Sequence, residues 1–479
     1  MSRIIIILLS VVAVNACTLF PPQERGSMPV ELPEDYSLYI EGAIPPDKWW
    51  ESFGSLELNR MVETALSNNF DLRSAWQRMK QAEAALGKSH SNLWPTVNYD
   101  AGAEKQWIQT RTSKDGGRIN TDTENWAAGL SAAYEVDLWG RLKAQRKAEG
   151  FAFQASREDL HTAKVTVTAT IVETWLDILA TRRQIAITED QIRTNTTLLE
   201  LQEFRFLNGK ATALDVSQQR QALASARSEL PLLELSERQL MNSLAFLLGQ
   251  SSRTGIDING YELPEIIPLP EAGLPADLIA ARPDVRAAGL RLKSADWTVS
   301  ASRADRLPDI TLSARSAFSS GKLDLLFDNW VNTLAAGITG PLFDGGRRSY
   351  EVERTRAVAE ERLTDYARTV ANAIKEVENS LASETYQQTY IQRLSEQKDA
   401  AQMTLKNART QYINGQSDYL SYLAAWTSIQ NLERKLVAEN AGLIKNRVTL
   451  YRTLGGNWIE SPEDPVPPQV KKQNETPGA

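Results

Sequence analysis

The sequence predicts a mixed membrane fold in which each chain carries four transmembrane β-strands continuous with very long helices. Three observations predict it. The chain is internally duplicated, each half holds a pair of segments that alternate apolar and polar residues, and each pair precedes a long tract without proline.

The duplication is read by alignment. With Asp71 set against Asp284, the 25 positions from Asp71 to Pro95 contain eight identities: Asp71, Arg73, Ala75, Arg78, Lys80, Ala82, Ser89 and Pro95. Further on the offset falls from 213 to 206, so that Gly140-Arg141 meets Gly346-Arg347, Asn208-Gly209 meets Asn414-Gly415, and Leu248-Gly249 meets Leu454-Gly455. The seven lost residues belong between Pro95 and Gly140 or their counterparts, where each half places a hairpin.

The hairpin strands are legible by period two. Val97, Tyr99, Ala101, Ala103, Lys105 and Trp107 alternate with Asn98, Asp100, Gly102, Glu104 and Gln106, and the same alternation runs from Trp126 to Leu138. In the second half Ile310, Leu312, Ala314 and Phe318 oppose Asp309, Thr311, Ser313 and Arg315, while Leu334, Ala336, Ile338 and Leu342 oppose Thr333, Ala335, Gly337 and Thr339. Segments of about ten residues with one apolar face suit a barrel with lipid outside and water inside, and an ordinary half-buried antiparallel sheet fits the same pattern. Trp94, Trp107, Trp126, Trp139 and Trp330 stand at strand ends, where an aromatic girdle belongs. Four strands cannot close a membrane barrel, whose smallest bacterial count is about eight, so spanning strands require several chains in one barrel.

The helical tracts follow. Gly140 to Leu207 contains no proline, and at 1.5 Å per residue would reach about 100 Å. Ile171, Ile178, Ile185, Ile192, Leu199 and Phe206 recur every seven residues, as in a seam between long helices. Thr181, Thr188, Asn195 and Gln202 also recur every seven and suggest one wet side. The chain turns at NGKATALD and returns to Gly249, with Pro231 expected to kink the return helix. The second half repeats this from Arg347 to Leu454 through NGQSDYL.

At the N-terminus Arg3 precedes an apolar run from Ile4 to Val14, which is too short for a spanning helix and reads as a signal peptide. Cys17 is the one cysteine of 479 residues, and Val14-Asn15-Ala16 before it resembles a lipobox, although Asn15 departs from the usual small residue. Acylation there would provide the two or more chains that stable anchoring needs. The expected organisation is a signal peptide over 1–16, a lipidated segment over 17–60, a first repeat over 61–260, a proline-rich connector over 261–283, a second repeat over 284–458 and a disordered tail over 459–479.

Composition excludes several functions. Fifty-three basic and sixty acidic residues give a net charge of −7, which does not suit nucleic acid. Two histidines and one cysteine leave almost nothing for zinc or for Ser-His or Cys-His catalysis, and no glycine-rich phosphate loop occurs, so neither enzyme activity, metal nor cofactor is expected.

The stretches WWESFG, YEVDLWGR, LPADLIAARPDVRAAGLRL, PLFDGGRR and LGGNW together resemble the outer-membrane-factor family of TolC-like and OprM-like channels, in its lipoprotein branch serving efflux pumps of the resistance-nodulation-division type. The resemblance runs from about residue 45 to 458. It implies a homotrimer in which three chains share a 12-stranded outer-membrane β-barrel continuous with a periplasmic α-helical barrel. It implies passive efflux of drugs, other toxic solutes or metal ions, a periplasmic adaptor and an inner-membrane pump as partners, and a lipid-anchored place in the outer membrane. A long coiled-coil periplasmic structural or adaptor lipoprotein is the other reading, but it gives no reason for four alternating strands.

The resemblance also implies a periplasmic gate. Aligned tips place the lock aspartate on Asp215 and its tyrosine on Tyr412, but leave Ser417 at the arginine position and Ser421 and Ala424 at the acidic ones. The expected lock is therefore a neutral Tyr412–Asp215 hydrogen bond, assisted by Arg205 or Arg409, with Asp418 as a displaced negative charge; a cap of its own helix is the alternative role for Asp215. Tyr419, Leu420 and Leu423 are the expected packing at the constriction. Asn208-Gly209-Lys210 and Asn414-Gly415-Gln416 form the tips, as tight turns needing positive φ or as the surface that meets an adaptor.

Overall fold

The computed structural model describes residues 19–22, 33–38, 48–111, 118–251, 255–271, 275 and 282–455. The signal peptide, Cys17, part of the connector and the C-terminal tail lie outside the described residues. After a 3-10 turn at Trp49–Phe53, the order is α1 (Leu56–Asn68), α2 (Phe70–Ser91), β1 (Thr96–Arg111), β2 (Arg118–Glu135), α3 (Arg141–Leu207), α4 (Ala213–Leu247), α5 (Pro283–Ala304), β3 (Asp309–Ser320), β4 (Trp330–Thr339), α6 (Arg347–Ile413) and α7 (Tyr419–Thr453). The duplication is reproduced to the residue: α2 and α5 are both 22 residues long, α3 and α6 both 67, α4 and α7 both 35. The hairpins differ, with strands of 16 and 18 residues in the first and 12 and 10 in the second. Pro231 sits inside α4, which continues through it.

The chain divides into two compact units, to which each repeat contributes. Among the described residues the first comprises 19–22, 78–111, 118–157 and 287–367. It holds one antiparallel sheet in the order β1-β2-β3-β4, with β1 and β4 as its edges. Register fixes the faces, because directly opposed residues lie on the same side. Val97, Ala132, Ala314 and Leu334 form one row, Tyr134, Leu312 and Ala336 another, and Ala101, Ala128, Phe318 and Trp330 a third. This apolar face is exposed, with Tyr99 at 86%, Leu334 at 86% and Ile338 at 74%. Ten residue steps separate the Ile310–Ile338 row from the Ser320–Trp126–Ala103 row. That is about 33 Å at about 3.3 Å per residue, or about 25 Å for strands tilted about 40°, the height of a lipid-facing band. Lys105 paired with Glu124 at 2.7 Å ends the band.

The Trp139 indole N–H donates to the Pro308 carbonyl at 2.7 Å and latches the strand-to-helix turn. In the same turn Asp137 accepts from the Leu142 and Lys143 N–H groups, and Gly140 takes φ 77°. Arg141 binds both oxygens of Glu135 at 2.6 and 2.7 Å. The WGR string is thus the capped start of α3, and Asp344, accepting from the Gly346 and Arg348 N–H groups, holds the start of α6.

Among the described residues the second unit comprises 33–38, 48–77, 158–251, 255–271, 275, 282–286 and 368–455. Its core gathers Trp49, Trp50, Leu58, Ile171, Trp175, Ile178, Leu244, Ile444, Val448 and Tyr451. The WWESFG stretch enters this core, Trp49 stacking on Tyr451 at 5.5 Å and Phe53 lying 6.1 Å from Trp175. From the RPDVR string, Arg282 is buried and binds Asp284 (2.7 Å), Glu376 (2.9 Å) and the carbonyl of Thr453 (3.0 Å). Burial opposes the Arg282 charge, but the hydrogen bonds and charges of Asp284 and Glu376 outweigh it and move its pKa upward. These motifs are joints of the fold.

Candidate functional site at the helix tips

The ends of α3 and α6 and the starts of α4 and α7 lie in the second unit. Both tips have the same backbone. Gly209 at φ 68° and Gly415 at φ 72° end their helices, and the next N–H reaches back five residues, Lys210 to Arg205 (2.8 Å) and Gln416 to Gln411 (2.8 Å). This is the glycine-terminated Schellman arrangement that Asn-Gly encodes. The Asn208 side chain donates to Phe204 O at 2.7 Å.

The returning helices are capped by exchanged residue types. Thr212 caps α4 and Asp215 closes the capping box, accepting from the Thr212 N–H at 2.8 Å. At the equivalent positions Asp418 caps α7 and accepts from Ser421 N at 3.0 Å and Ser421 Oγ at 2.6 Å. Those bonds hold the Asp418 carboxyl below its ordinary range, so a negative charge stays on the tip.

The Tyr412–Asp215 hydrogen bond expected from the sequence does not form. Asp215 is consumed by a partner three residues away, a contact that closes almost no loop, whereas Tyr412 donates to Gln202 Oε1 at 3.1 Å. The polar seam of α3 is likewise not a wet side: Thr188 is 0% exposed, Asn195 2% and Gln202 1%. Gln219 donates to Asn195 at 2.9 and 3.2 Å, Tyr419 donates to Gln219 at 2.5 Å, and Gln191 donates to Gln430 O at 3.3 Å. Most of the polar atoms find partners across helices, and that pairing makes their burial tolerable.

Three tyrosines complete the cluster. Tyr412 lies 5.3 Å from Tyr419 and stacks on Tyr422 at 6.0 Å with an interplanar angle of 11°, and Tyr419 and Tyr422 are 5.9 Å apart. The Arg205 guanidinium sits 4.8 Å from the Tyr412 ring. Burial pushes the Tyr419 phenol well above its ordinary value, with Tyr422, Tyr412 and the Asp215 carboxylate adding to the shift. Burial also raises Tyr422, and Arg409 partly offsets it. These hydroxyls therefore stay protonated donors beyond physiological pH. Tyr419 and Leu423 are buried, whereas Leu420 is 52% exposed. Sequence reasoning missed Gln202, Gln219, Asn195 and Tyr422; the seven-residue spacing of Asn195 and Gln202 was the signal for two of them.

The model of a family described as outer membrane efflux protein matches residues 61–250 and 274–456. The pyoverdine export outer membrane protein OpmQ of Pseudomonas aeruginosa is 31% identical over 417 residues, covering 86% of this chain and 87% of its own. The cation efflux system protein CusC of Escherichia coli is 26% identical over 459 residues, covering 93% and 97%. Among solved structures, the outer-membrane channel OprN superposes with a TM-score of 0.83 at 25% identity, covering 92% of this chain and 100% of that one.

Proposed function

We propose how a chain that belongs to the outer membrane efflux protein family, matched over residues 61–250 and 274–456, conducts and closes. It is an outer-membrane channel of an efflux system, in the fold class of the trimeric channels that join a β-barrel to a long helical barrel. Three copies pair β4 of one chain with β1 of the next, closing a 12-stranded barrel with the apolar face to lipid. The observation that carries this reading is the exposed, largely apolar face of a four-stranded sheet whose edge strands β1 and β4 have no further strand partner among the described residues. Transport is passive conduction, driven by an inner-membrane pump of the resistance-nodulation-division type coupled through a periplasmic adaptor. The cargo class spans drugs, other toxic solutes and metal ions.

In this reading the tyrosine–amide cluster is the periplasmic gate. Tyr412, Tyr419 and Leu423 hold the helices closed, Arg205 supports the Tyr412 ring, Arg409 lies beside Tyr422, Leu420 faces the constriction, and Asp215 and Asp418 fix the helix starts. The tips at 208–210 and 414–416 meet the adaptor. Exposed Phe204, Leu207, Leu214 and Ile413 around them supply apolar area for a helical partner. Cys17 carries the lipid anchor, and the Cys17→Ser variant is expected to lose palmitate labelling while the barrel still inserts.

Fractionation and planar-bilayer recording test this function. The expected result is a heat-labile, SDS-resistant oligomer in the outer membrane that forms channels. A monomer that stays soluble without detergent would overturn it and favour a periplasmic coiled-coil protein.

A further inference from the structure

The face of the sheet opposite the apolar one carries a charge pair that the gate does not use. Asn98, Ser131, Arg315 and Thr333 form one row of that face, and Asp100, Gly129, Ala317 and Val331 the next. Asp100 on β1 and Arg315 on β3 are separated by the whole of β2, yet their side chains meet at 3.2 Å. They meet above Gly129. A Cβ at that position would lie 3.0 Å from Asp100 Oδ1 and 3.1 Å from Oδ2, tight enough that the carboxylate would have to give by a few tenths of an ångström. Glycine weakens a strand interior, and here it clears the path of the bridge. The described residues of this face between the Thr96–Ala133 row and the Gly102–Ala127 row include no other charge. Both partners remain half open to solvent, at 58% and 48%.

We infer that Asp100 and Arg315 are specificity-determining residues of the conduction path, a compensated charge pair that keeps this level of the barrel lumen electrically neutral. The inference rests on the channel reading above, which turns the polar face inward and repeats the pair three times around the lumen. Opposite charges 3.2 Å apart are much closer than the screening length of about 8 Å at physiological salt, so their fields cancel for a passing ion. Removing one partner leaves three like charges on a narrow wall, where low-dielectric surroundings concentrate the field. A neutral level lets cationic and anionic solutes of one efflux system share the exit.

The test is the reversal potential of the purified full-length protein in planar bilayers across a KCl gradient. Relative to the wild type, Arg315→Gln is expected to raise the potassium-to-chloride permeability ratio by roughly two-fold or more, and Asp100→Asn to lower it similarly. The Asp100→Asn/Arg315→Gln double variant is expected to return to the wild-type ratio. Single variants that leave the ratio unchanged, or a double variant that does not return, would overturn the inference while leaving the channel reading intact. Failure of the wild type to form SDS-resistant oligomers or to conduct would defeat the channel reading and this inference with it.

Discussion

The Tyr412 hydroxyl donates to Gln202 Oε1 at 3.1 Å and ties the last turn of α6 to the last turns of α3. A neutral hydrogen bond of this kind contributes about 1 kcal/mol, and a trimer holds three. Tyr412→Phe and Gln202→Leu are each expected to raise single-channel conductance. Because Gln202→Leu removes this bond together with the interaction of Gln202 with Tyr419, the double variant should add little to Gln202→Leu alone. Fully additive increases would show that the two side chains act separately.

The fold was legible in sequence where the physics is local and periodic. Alternation marked part of each of the four strands, although β2 starts at Arg118, ahead of the alternating stretch at Trp126, and the offsets of 213 and 206 became helices of equal length in the two repeats. The Asn-Gly turns were legible because positive φ restricts the residue there. The partners within the proposed gate were not. Whether Gln202 faces water or Tyr412 depends on which helix lies across from it, and its polarity alone suggested water. Asp215 misled for the complementary reason: its nearest partner, Thr212, was three residues away in the same turn.

Gly249 allows a sharp structural test. It takes φ 70°, and a Cβ there would stand 2.3 Å from the carbonyl oxygen of Asn68. Gly54 takes φ 67° with open space around it. Gly54→Ala should cost only the left-handed backbone term of about 1–2 kcal/mol, and Gly249→Ala distinctly more. Denaturant unfolding in detergent would measure both, and equal losses would contradict the close approach.

Glu173 gives a pH signature. Burial raises its pKa above 4.5, with Arg452, a 3.4 Å hydrogen bond from Thr449 and Lys445 only partly compensating. The folded state therefore holds this proton more tightly than the unfolded one. Stability from this group is present below pH 4.5 and is lost as pH rises through the folded pKa. Glu173→Gln should raise thermal stability at pH 7 and lose that advantage below pH 4.5. A gain independent of pH would contradict the assignment.

Arg447 and Glu384 form a buried pair, 6% and 1% exposed, and Arg447 also donates to Ile267 O. Removing either partner strands a buried charge, at about 3–5 kcal/mol. Arg447→Met and Glu384→Leu should each destabilise strongly, and the double variant should recover much of the loss. A double variant as unstable as the sum of the singles would show that the pair is not the coupling.

A chain with four strands needs two further copies to complete its barrel. The most direct measurement is the native mass of the full-length protein extracted from outer membranes in mild detergent. The expected result is a particle of three chains that stays intact in SDS and separates only on heating. A folded monomer in the same extract would contradict it.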